Sequence, residues 1–352
     1  MRRLTVLNIA YPLAPVGLDA VGGSEQVLSS LDHALMEAGH RSIVIACAGS
    51  QAAGELHAFP APPTDEPITD VIHAARQDAI RAITADVLRR ERVDVIHMHG
   101  LDFYSYLPPP GPPMLATLHL PADWYPPEAL APPRGDSWVH GVSESQMRGV
   151  PPGPRLLPPI PNGVPVARLG AAHPRKCRFA LTLARVCPEK GLHLALDAAR
   201  AADAPMLLAG GVFPYPAHQD YFRAEILPRL DRCRRYLGPV GFVRKRHLLA
   251  AAACLLVPSL VAETSSLVAM EAAACGTPVI AFRRGALPEL VEDGRTGFLV
   301  DDVDGMAAAI RRVDRIDPAL CRETARRRFS IERMAAAYLD RYHMLARVAA
   351  TA

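Results

Sequence analysis

Residues 258–278 read PSLVAETSSLVAMEAAACGTP and follow Cys254–Val257, an apolar run with the length of a buried strand. Glu263 falls in the loop after this strand. Glu271 follows eight residues later within Leu267–Cys275, a stretch of otherwise apolar and small residues. A strand followed by a loop and a buried helix is the repeating unit of α/β proteins with a parallel sheet. The segment therefore predicts that fold class.

The two glutamates also point to chemistry. A carboxylate at Glu271 inside an apolar helix would be costly to bury unless hydrogen-bond donors satisfied it. Ligand hydroxyls could supply those donors, and so could a buried arginine. Glu263 is predicted beyond the carboxyl end of a strand, where ligands of parallel sheets bind. From the residues alone two interpretations stay open: two ligand-binding carboxylates, or one exposed glutamate and one ion pair in the core.

The rest of the chain repeats this alternation of strands and helices. In the first half the predicted strands are Leu4–Ala10, Ser42–Ala48, Val93–Met98, Met114–Leu118 and Trp138–Val142, and the predicted helices are Ser24–Ala38 and Ile68–Arg90. In the second half the predicted strands are Phe179–Ala184, Met206–Ala209, Cys254–Val257, Pro278–Phe282 and Gly297–Val300. The helices predicted there are Leu192–Ala201, Gln219–Arg235, His247–Ala253, Ser265–Ala274, Val303–Val313, Pro318–Phe329 and Ile331–Val348.

Proline marks the loops and the junction between the two halves. The 34 prolines cluster in Leu107–Pro113, Pro121–Pro133 and Pro151–Pro165, where helix interiors and central strands are excluded. The alternation starts again after these clusters, and 352 residues suit two domains of roughly 100–200 residues each. The sequence therefore predicts two Rossmann-like, doubly wound α/β domains that face each other, residues 1–165 and 166–329.

Composition excludes several classes of protein. Half of the chain is hydrophobic and 21% is charged, which excludes disorder. The longest apolar run, Leu248–Val257, is much shorter than the roughly 20 residues of a membrane span. Leu4–Ala10 fits a first strand better than a secretory signal. Seven cysteines without Cys-x-x-Cys spacing predict reduced thiols in a cytoplasmic protein and no zinc site.

Charge is distributed unequally between the halves. Residues 1–165 hold 11 Arg and Lys against 17 Asp and Glu, a net charge of −6, whereas residues 166–352 hold 28 against 19, a net charge of +9. A basic carboxy-terminal half favours an anionic ligand there, with drift of surface composition as the alternative. The chain has only three lysines, Lys176, Lys190 and Lys245.

One of these lysines belongs to the motif Leu183–Gly191, LARVCPEKG. An apolar strand ends there, a short loop carries Arg185 and Lys190, and Gly191 leads into a helix. Two cations at the carboxyl end of a strand and beside a helix amino terminus are suited to a diphosphate. Two solvated loop charges are the alternative.

A glycine pair follows the first predicted strand. Gly22 and Gly23 stand before Ser24 and Glu25 at the start of a helix, where first-turn amides can bind an anion. A glycine turn with Ser24 as the helix cap is the alternative. No Gly-x-Gly-x-x-Gly dinucleotide fingerprint is present at this strand.

Together these motifs resemble the retaining glycosyltransferases of family 4, also described as glycosyl transferases group 1, which have the two-domain GT-B fold. The matching segments are Gly22-Gly23 with Glu25, Arg185–Gly191, the Glu263/Glu271 pair, Cys275-Gly276-Thr277-Pro278, Gly285–Glu289 and, at the expected hinge, Pro161–Val164. The match spans most of the chain and is densest from 180 to 300.

The resemblance implies a hexosyltransferase-type enzyme that moves a sugar from a nucleoside-diphosphate sugar to a hydroxyl acceptor with retention of configuration. Arg185 and Lys190 would neutralise the diphosphate, Glu271 would accept hydrogen bonds from ribose hydroxyls, and Glu263 would contact the transferred sugar. The resemblance extends the donor site to a further set of residues: Ser265, Ser266, Leu267, Gly22 and Gly23.

Two further features follow from the resemblance. His119, at the end of a first-domain strand, matches a histidine near the donor sugar, with a satisfied strand-end histidine as the alternative. Residues 330–352 would form a helix that crosses back to the first domain.

The Asp302-Val303-Asp304 sequence has the Asp-x-Asp form of metal-dependent transferases, but it is predicted to cap a helix. The sequence therefore predicts neither a metal nor a cofactor, and His97 and His99 are predicted to pack on one strand face.

Partners are only partly predicted. A UDP- or GDP-linked donor is favoured, while the acceptor loops 101–113 and 120–136 identify no acceptor and the oligomeric state stays open. The candidates for acceptor contacts in these loops are Asp102, Tyr104, Asp123, Trp124 and Tyr125. Arginine clusters at 232–235, 244–246 and 326–328 lack interleaved aromatic residues, which argues against nucleic-acid binding. The clusters are interpreted as solvated helix faces or as contacts to anionic membrane headgroups.

A nucleotide-sugar epimerase, a phosphorylase or a catalytically silent nucleotide-sugar-binding protein of the same fold remain alternatives.

Overall fold

The structure, a computed structural model, describes residues 2–20, 22–63, 69–153, 155–171 and 175–351, with side chains through Val348. Ile68, the predicted first residue of the second helix, lies outside the described residues. No helix in these ranges is long and apolar enough to cross a bilayer.

The chain divides into two compact units. Unit 1 comprises Met1–Asn162 and Glu332–Ala352, and unit 2 comprises Gly163–Ile331. Unit 1 contains the strands β1 Thr5–Ile9, β2 Arg41–Cys47, β3 Glu55–Phe59, β4 Val95–Met98, β5 Met114–Thr117 and β6 Ser137–His140. Unit 2 contains the strands β7 Ala180–Leu183, β8 Met206–Ala209, β9 Arg234–Tyr236, β10 Cys254–Val257, β11 Val279–Phe282 and β12 Gly297–Val300.

Helices connect these strands. In the first part of the chain they are α1 Gly23–Glu37, α2 Asp70–Arg90, α3 Pro127–Leu130 and α4 Glu144–Met147. They continue with α5 Val166–Leu169, α6 Leu192–Ala201, α7 Pro216–Tyr221, α8 Phe242–Ala251, α9 Leu267–Ala274, α10 Leu287–Leu290, α11 Val303–Arg311, α12 Pro318–Arg328 and α13 Ile331–Thr351. The proline-rich stretch at 121–133 was predicted to be a loop, yet it contains a single 3-10 turn and α3, because proline is tolerated in the first turn of a helix.

Both sheets have the same topology. The strand order is β3-β2-β1-β4-β5-β6 in unit 1 and β12-β11-β10-β7-β8-β9 in unit 2, and every pairing is parallel. Numbered within each unit, this is the 3-2-1-4-5-6 order of the Rossmann fold. The predicted pair of doubly wound α/β sheets is therefore confirmed.

The strands that the sequence predicted well are those buried on both faces. All four residues of β4, β5, β10 and β11 are buried. A parallel sheet that is covered by helices on both sides needs such continuous apolar strands.

The sequence missed the edge strands β3 and β9. Their sequences, ELHAF and RRY, are polar and only partly buried. An edge strand pairs on one side only, so it does not need the apolar character of a central strand.

The helix predicted at Gln219–Arg235 is irregular after Tyr221 and is wrong beyond Arg229. The observed α7 ends at Tyr221 and is followed by a π-helical turn, by a 3-10 turn at Leu227–Arg229 and then by β9. Pro228 cannot donate a helical hydrogen bond. The Asp231 carboxylate then accepts hydrogen bonds from the amides of Cys233 and Arg234, at 2.8 and 2.9 Å, and so stabilises a turn.

Helix α13 belongs to unit 1 through a buried polar network. His97 lies 2.7 Å from the Tyr342 hydroxyl through Nδ1 and 2.8 Å from Thr117 Oγ1 through Nε2. Thr117 Oγ1 also lies 2.8 Å from His140 Nε2 and 3.2 Å from the Tyr338 hydroxyl. All of these residues are at most 1% exposed.

One carbonyl fixes the protons of this network. His140 Nδ1 donates to the Gly141 carbonyl at 2.8 Å, so the Nε2 of a neutral His140 must accept from Thr117. His97 Nε2 then donates to Thr117, and its Nδ1 accepts from Tyr342. Burial lowers the pKa of both histidines, in agreement with neutral rings. The prediction that His97 packs within the strand face is confirmed.

Candidate functional site

The second sheet has one topological switch point. Strand order reverses between β7 and β10, and ligands of doubly wound folds bind outside the carboxyl ends of such strands. The loops that follow these two strands touch each other here, because the Leu260 amide donates to the Glu189 carbonyl at 2.8 Å. The two motifs that the sequence singled out in this half are those loops.

The loop after β7 depends on a glycine at its end. Gly191 has φ +60°, and a Cβ there would lie 2.3 Å from the Pro258 carbonyl oxygen. Only glycine permits both that backbone conformation and this approach of the two loops. Lys190 ends the preceding 3-10 turn, and α6 begins at Leu192.

Lys190 and Glu263 form an ion pair across the switch point. Lys190 Nζ lies 2.6 Å from Glu263 Oε1, and the side chains are 24% and 11% exposed. The Ser259 hydroxyl donates to the same carboxylate oxygen. Two donors therefore hold Glu263 in one orientation, and the interpretation of Glu263 as an exposed glutamate is wrong.

Gly285 supports the Glu263 loop from the other side. The Ala286 amide donates to the Glu263 carbonyl at 2.7 Å. At Gly285, where φ is +56°, a Cβ would lie 2.3 Å from that carbonyl oxygen and 2.4 Å from the Glu263 nitrogen. The Gly285–Glu289 motif therefore fixes the main chain of Glu263.

The amino terminus of α9 follows directly. Ser266 is its N-cap and Leu267 its first residue, and no side chain caps the helix. Its first-turn amides carry the positive end of the helix dipole and lack helical partners. The Ser265 hydroxyl is buried and has no hydrogen-bond partner within the described residues. This group of donors suits an anionic or hydroxyl-rich ligand.

Glu271 lies one turn further along α9 and is 4% exposed. Its partner is Lys245 of α8, with Nζ 2.5 Å from Oε1. The expectation of a buried arginine is therefore corrected: a lysine supplies the donor, and Glu271 forms the ion pair in the core that was the alternative. Burial raises the pKa of Glu271, and the neighbouring Lys245 opposes that rise.

Arg185 stands at the outer edge of the loop after β7. Its side chain is exposed, and its guanidinium lies 5.8 Å from the centroid of the Phe213 ring. Arg185 and Lys190 therefore bring two positive charges to one short loop, next to the amino terminus of α6.

In unit 1 the glycine pair begins α1. Gly22 is the N-cap and Gly23 the first helical residue, so the alternative in which Ser24 caps the helix is wrong. The buried carboxylate of Glu25 folds back over Gly22, where a Cβ would lie 1.8 Å from Oε2. A side chain at position 22 would therefore displace this carboxylate. The amino terminus of α1 follows β1. The strand order of the first sheet reverses between β1 and its neighbour β4.

His119 follows β5 in unit 1. Its amide and that of Leu120 donate to the Tyr125 hydroxyl at 2.9 and 3.2 Å. Its ring stacks on His99 with a centroid distance of 5.9 Å. Burial lowers the pKa of His119 to about 4, so the imidazole is neutral at pH 7.

The remaining sequence candidates divide into structural and exposed residues. Asp302 Oδ1 accepts from the Gly305 amide at 2.7 Å, which confirms the predicted helix cap. Asp102 accepts from His73, Gln77 and Tyr106 at 2.6–3.0 Å and is 8% exposed. Of the acceptor-loop candidates, Tyr104 is partly buried, Asp123 is exposed, Tyr125 is buried, and Trp124 is 53% exposed.

The structure thus brings several predicted site residues together in unit 2 and leaves the others in unit 1. The unit 2 residues at or beside the switch point are Arg185, Lys190, Glu263, Ser265, Ser266, Leu267 and Glu271. Gly22, Gly23 and His119 belong to unit 1. Sequence reasoning missed Lys245 and Ser259. The scarcity of lysine could have drawn attention to Lys245, whereas nothing in the sequence distinguishes Ser259.

The chain is similar to known glycosyltransferases. Residues 21–142 match the family model described as Glycosyltransferase Family 4, and residues 178–314 match the model described as Glycosyl transferases group 1. In Mycolicibacterium smegmatis, a D-inositol 3-phosphate glycosyltransferase is 33% identical over 53% of this chain and 44% of its own length. A phosphatidyl-myo-inositol mannosyltransferase of the same organism is 36% identical over 43% and 41%. The match thus spans less than half the length of these curated relatives.

Solved structures share the fold over nearly the whole chain. Sucrose-phosphate synthase from Thermosynechococcus elongatus has a TM-score of 0.77 and 22% identity, with 97% of this chain and 99% of that chain covered. Anabaena HepE, solved in complex with UDP and glucose, has a TM-score of 0.75 and 18% identity, with 97% and 100% covered. With both halves of the chain matched by family models and both sheets in the expected topology, the chain belongs to the family 4 glycosyltransferases and has the GT-B fold.

Proposed function

We propose that this protein transfers a sugar from a nucleoside-diphosphate sugar to a hydroxyl acceptor, with retention of configuration and without a metal ion. The Lys190–Glu263 pair at the switch point of the second sheet is the observation that carries the proposal. It joins a cation suited to a diphosphate and a carboxylate suited to sugar hydroxyls within 2.6 Å.

The leaving diphosphate gains negative charge as the glycosidic bond breaks. Arg185 and Lys190, with the amide groups at the start of α9, would stabilise that charge. These groups carry the positive charge that a divalent cation supplies in metal-dependent transferases, which is why the proposal includes no metal. The net charge of +9 on residues 166–352 supports binding of an anion in this half.

Glu263 would contact the transferred sugar. Lys190 and Ser259 both donate to Oε1, so their hydrogen bonds orient the carboxylate and leave Oε2 as the oxygen for ligand hydroxyls. Glu271 would accept hydrogen bonds from the ribose hydroxyls in the same way, with Lys245 on Oε1. Each carboxylate is thus held by a lysine before a donor binds, which limits the reorganisation that binding requires.

Retention follows if the acceptor hydroxyl attacks from the face that the diphosphate leaves. A diphosphate oxygen would then take the acceptor proton, so the chain need not supply a general base on that face. The neutral imidazole of His119 is proposed to lie near the donor sugar as a hydrogen-bonding group.

The donor is proposed to be UDP- or GDP-linked. The UDP and glucose bound to Anabaena HepE favour UDP as the first nucleotide to test. Thermal shift with UDP, GDP, ADP and TDP would identify the nucleotide, since a ligand of the folded state raises the melting temperature. We expect one nucleotide to stabilise the native chain and Arg223→Ala, which removes an exposed arginine, but not Lys190→Ala.

A stabilising nucleotide would leave two alternatives to separate from transfer: an epimerase and a catalytically silent binding protein of the same fold. The matching nucleotide sugar, incubated with the chain and a panel of hydroxyl acceptors, should release nucleoside diphosphate. An isomerised nucleotide sugar would indicate an epimerase, and unchanged donor under all conditions would indicate a binding protein. If the nucleotide stabilised Lys190→Ala as much as the native chain, the nucleotide would not bind at Lys190.

A further inference from the structure

Three potential metal ligands converge beside the loop after β7, and the proposed transfer reaction uses none of them. The thiol sulfur of Cys187, a carboxylate oxygen of Glu189 and a ring nitrogen of His218 all lie within 4.8 Å of one another. Across the described ranges, no other group of three His, Cys, Asp or Glu side chains converges in this way.

The ligands come from two parts of unit 2. Cys187 and Glu189 belong to the loop after β7, and His218 belongs to α7, which follows β8. The rings of Phe213 and Tyr215 pack against His218, with centroid distances of 6.3 and 5.1 Å, and so hold its imidazole in place. His218 Nδ1 is buried and has no hydrogen-bond partner among the described residues.

The types of ligand match one class of ion. Zn²⁺ binds thiolate, imidazole and carboxylate together, at about 2.0–2.3 Å, and the edges of such a tetrahedron measure roughly 3.3–3.6 Å. Cys187 is 2% exposed, whereas Glu189 is exposed and can rotate to close the remaining distance. One thiolate and one carboxylate would balance the two charges of the ion, which reduces the cost of holding it at a partly buried position.

We propose that Cys187, Glu189 and His218 form a binding site for a thiophilic divalent cation, with Zn²⁺ as the ion that fits best. On binding, the S–H bond of Cys187 is replaced by a metal–sulfur bond and the proton passes to solvent. The fourth position of the tetrahedron is left to water.

The site would act on the loop that carries the proposed diphosphate-binding cations. Cys187 and Glu189 stand between Arg185 and Lys190 in the chain. A bound ion fixes the main chain of this segment to α7, so metal binding and nucleotide binding share one structural element. The ion is not needed for the transfer proposed above, and its binding can be measured without any sugar donor.

Co²⁺ is a spectroscopic probe for this site, because a cobalt–thiolate bond gives a charge-transfer band in the near ultraviolet. Titration of the metal-stripped full chain should produce this band with a single ion per chain, and added Zn²⁺ should abolish it. Cys187→Ser should eliminate the band, with circular dichroism used to verify the fold. His218→Ala, at a partly exposed position, should weaken Co²⁺ binding by more than about 10-fold, the scale set by the loss of groups that support a metal.

Two exposed cysteines provide matched controls. Cys177→Ser and Cys233→Ser should leave the band unchanged, because neither thiol belongs to the group of three ligands. Both thiols are exposed, so these variants also test for adventitious binding of Co²⁺ at the surface. The proposal is overturned if the native chain gives no thiolate band. It is also overturned if the band survives Cys187→Ser, if His218→Ala binds Co²⁺ as tightly as the native chain, or if the band disappears with either surface variant.

Discussion

The buried pair of Lys245 and Glu271 gives the prediction with the clearest magnitude. The two side chains are 16% and 5% exposed, so Lys245→Met leaves the Glu271 carboxylate buried without its lysine. The carboxylate can avoid that state by taking up a proton. Holding a proton at pH 7 on a group whose ordinary pKa is 4.5 costs about 3 kcal/mol, since each pH unit is worth about 1.4 kcal/mol. This sets the upper limit of the loss in the free energy of unfolding of unit 2.

The same reasoning predicts how the loss changes with pH. In the variant, the folded-state pKa of Glu271 lies above the unfolded value, so protonation favours the folded state and this contribution is lost as pH rises. The deficit relative to the native chain should therefore be at most about 3 kcal/mol at pH 7 and at most about 1 kcal/mol at pH 5.

Hydrogen exchange measured by mass spectrometry on peptides from α8 and α9 is the suitable assay, because it reports on unit 2 separately. Two controls test the cause. Lys245→Met combined with Glu271→Gln removes both charges and should recover most of the loss. Arg223→Met breaks a pair with Asp220 whose side chains are 65% and 72% exposed, and it should cost less than about 1 kcal/mol. A loss in Lys245→Met that is below about 1 kcal/mol at pH 7, or that is the same at pH 5, would refute the reasoning.

Three further predictions concern the loops and unit 1. Gly285→Ala should abolish nucleotide-induced thermal stabilisation, because its Cβ would collide with the Glu263 main chain. Gly294→Ala, at φ +74° with open space around it, should cost only about 1–2 kcal/mol and keep the response, and equal effects in the two variants would contradict this. Glu263→Gln should keep the fold by circular dichroism but lower the rate of nucleoside diphosphate release from a nucleotide sugar about 100-fold or more, and an unchanged rate would remove Glu263 from the site. Burial lowers the pKa of His119 to about 4 and that of His140 to about 3, so each should contribute stability above pH 6.5 that is lost at about 1.4 kcal/mol per pH unit as the pH falls toward 4. Urea unfolding followed by tryptophan fluorescence measures this, since both tryptophans lie in unit 1, and a flat profile from pH 6.5 to 4.5 would disprove it.

Buried strands and amphipathic helices could be predicted from the sequence because burial on defined faces leaves a pattern. Met206–Ala209, Cys254–Val257, Gly297–Val300 and Leu192–Ala201 have the predicted ends. The segment at 219–235 misled because its apolar residues have helical spacing on both sides of Pro228. Pro228 has no amide hydrogen to donate, so the helix is interrupted there despite this spacing.

The residues of the candidate site could be found from sequence motifs, but their pairing could not. Lys190 and Glu263 are 73 positions apart and meet only because β7 and β10 are neighbours in the sheet. Lys245 stands between two arginines in α8, so the sequence gives no sign that the lysine is the residue that turns towards a buried carboxylate. The Cys187 group was missed for a similar reason: its third member comes from another strand connection, and the spacing matches no metal motif.

The division of unit 1 between two stretches of chain affects how the protein is made. Residues 332–351 complete unit 1 but are synthesised after the whole of unit 2. Until they leave the ribosome, His97 and Thr117 lack the hydroxyls of Tyr342 and Tyr338, and the surface that α13 will cover stays open to water. Unit 2 is continuous and can fold first during translation. Unit 1 can therefore complete its fold only after residues 332–351 have been synthesised. We expect chaperones to bind unit 1 most strongly in nascent chains that are arrested before residue 338.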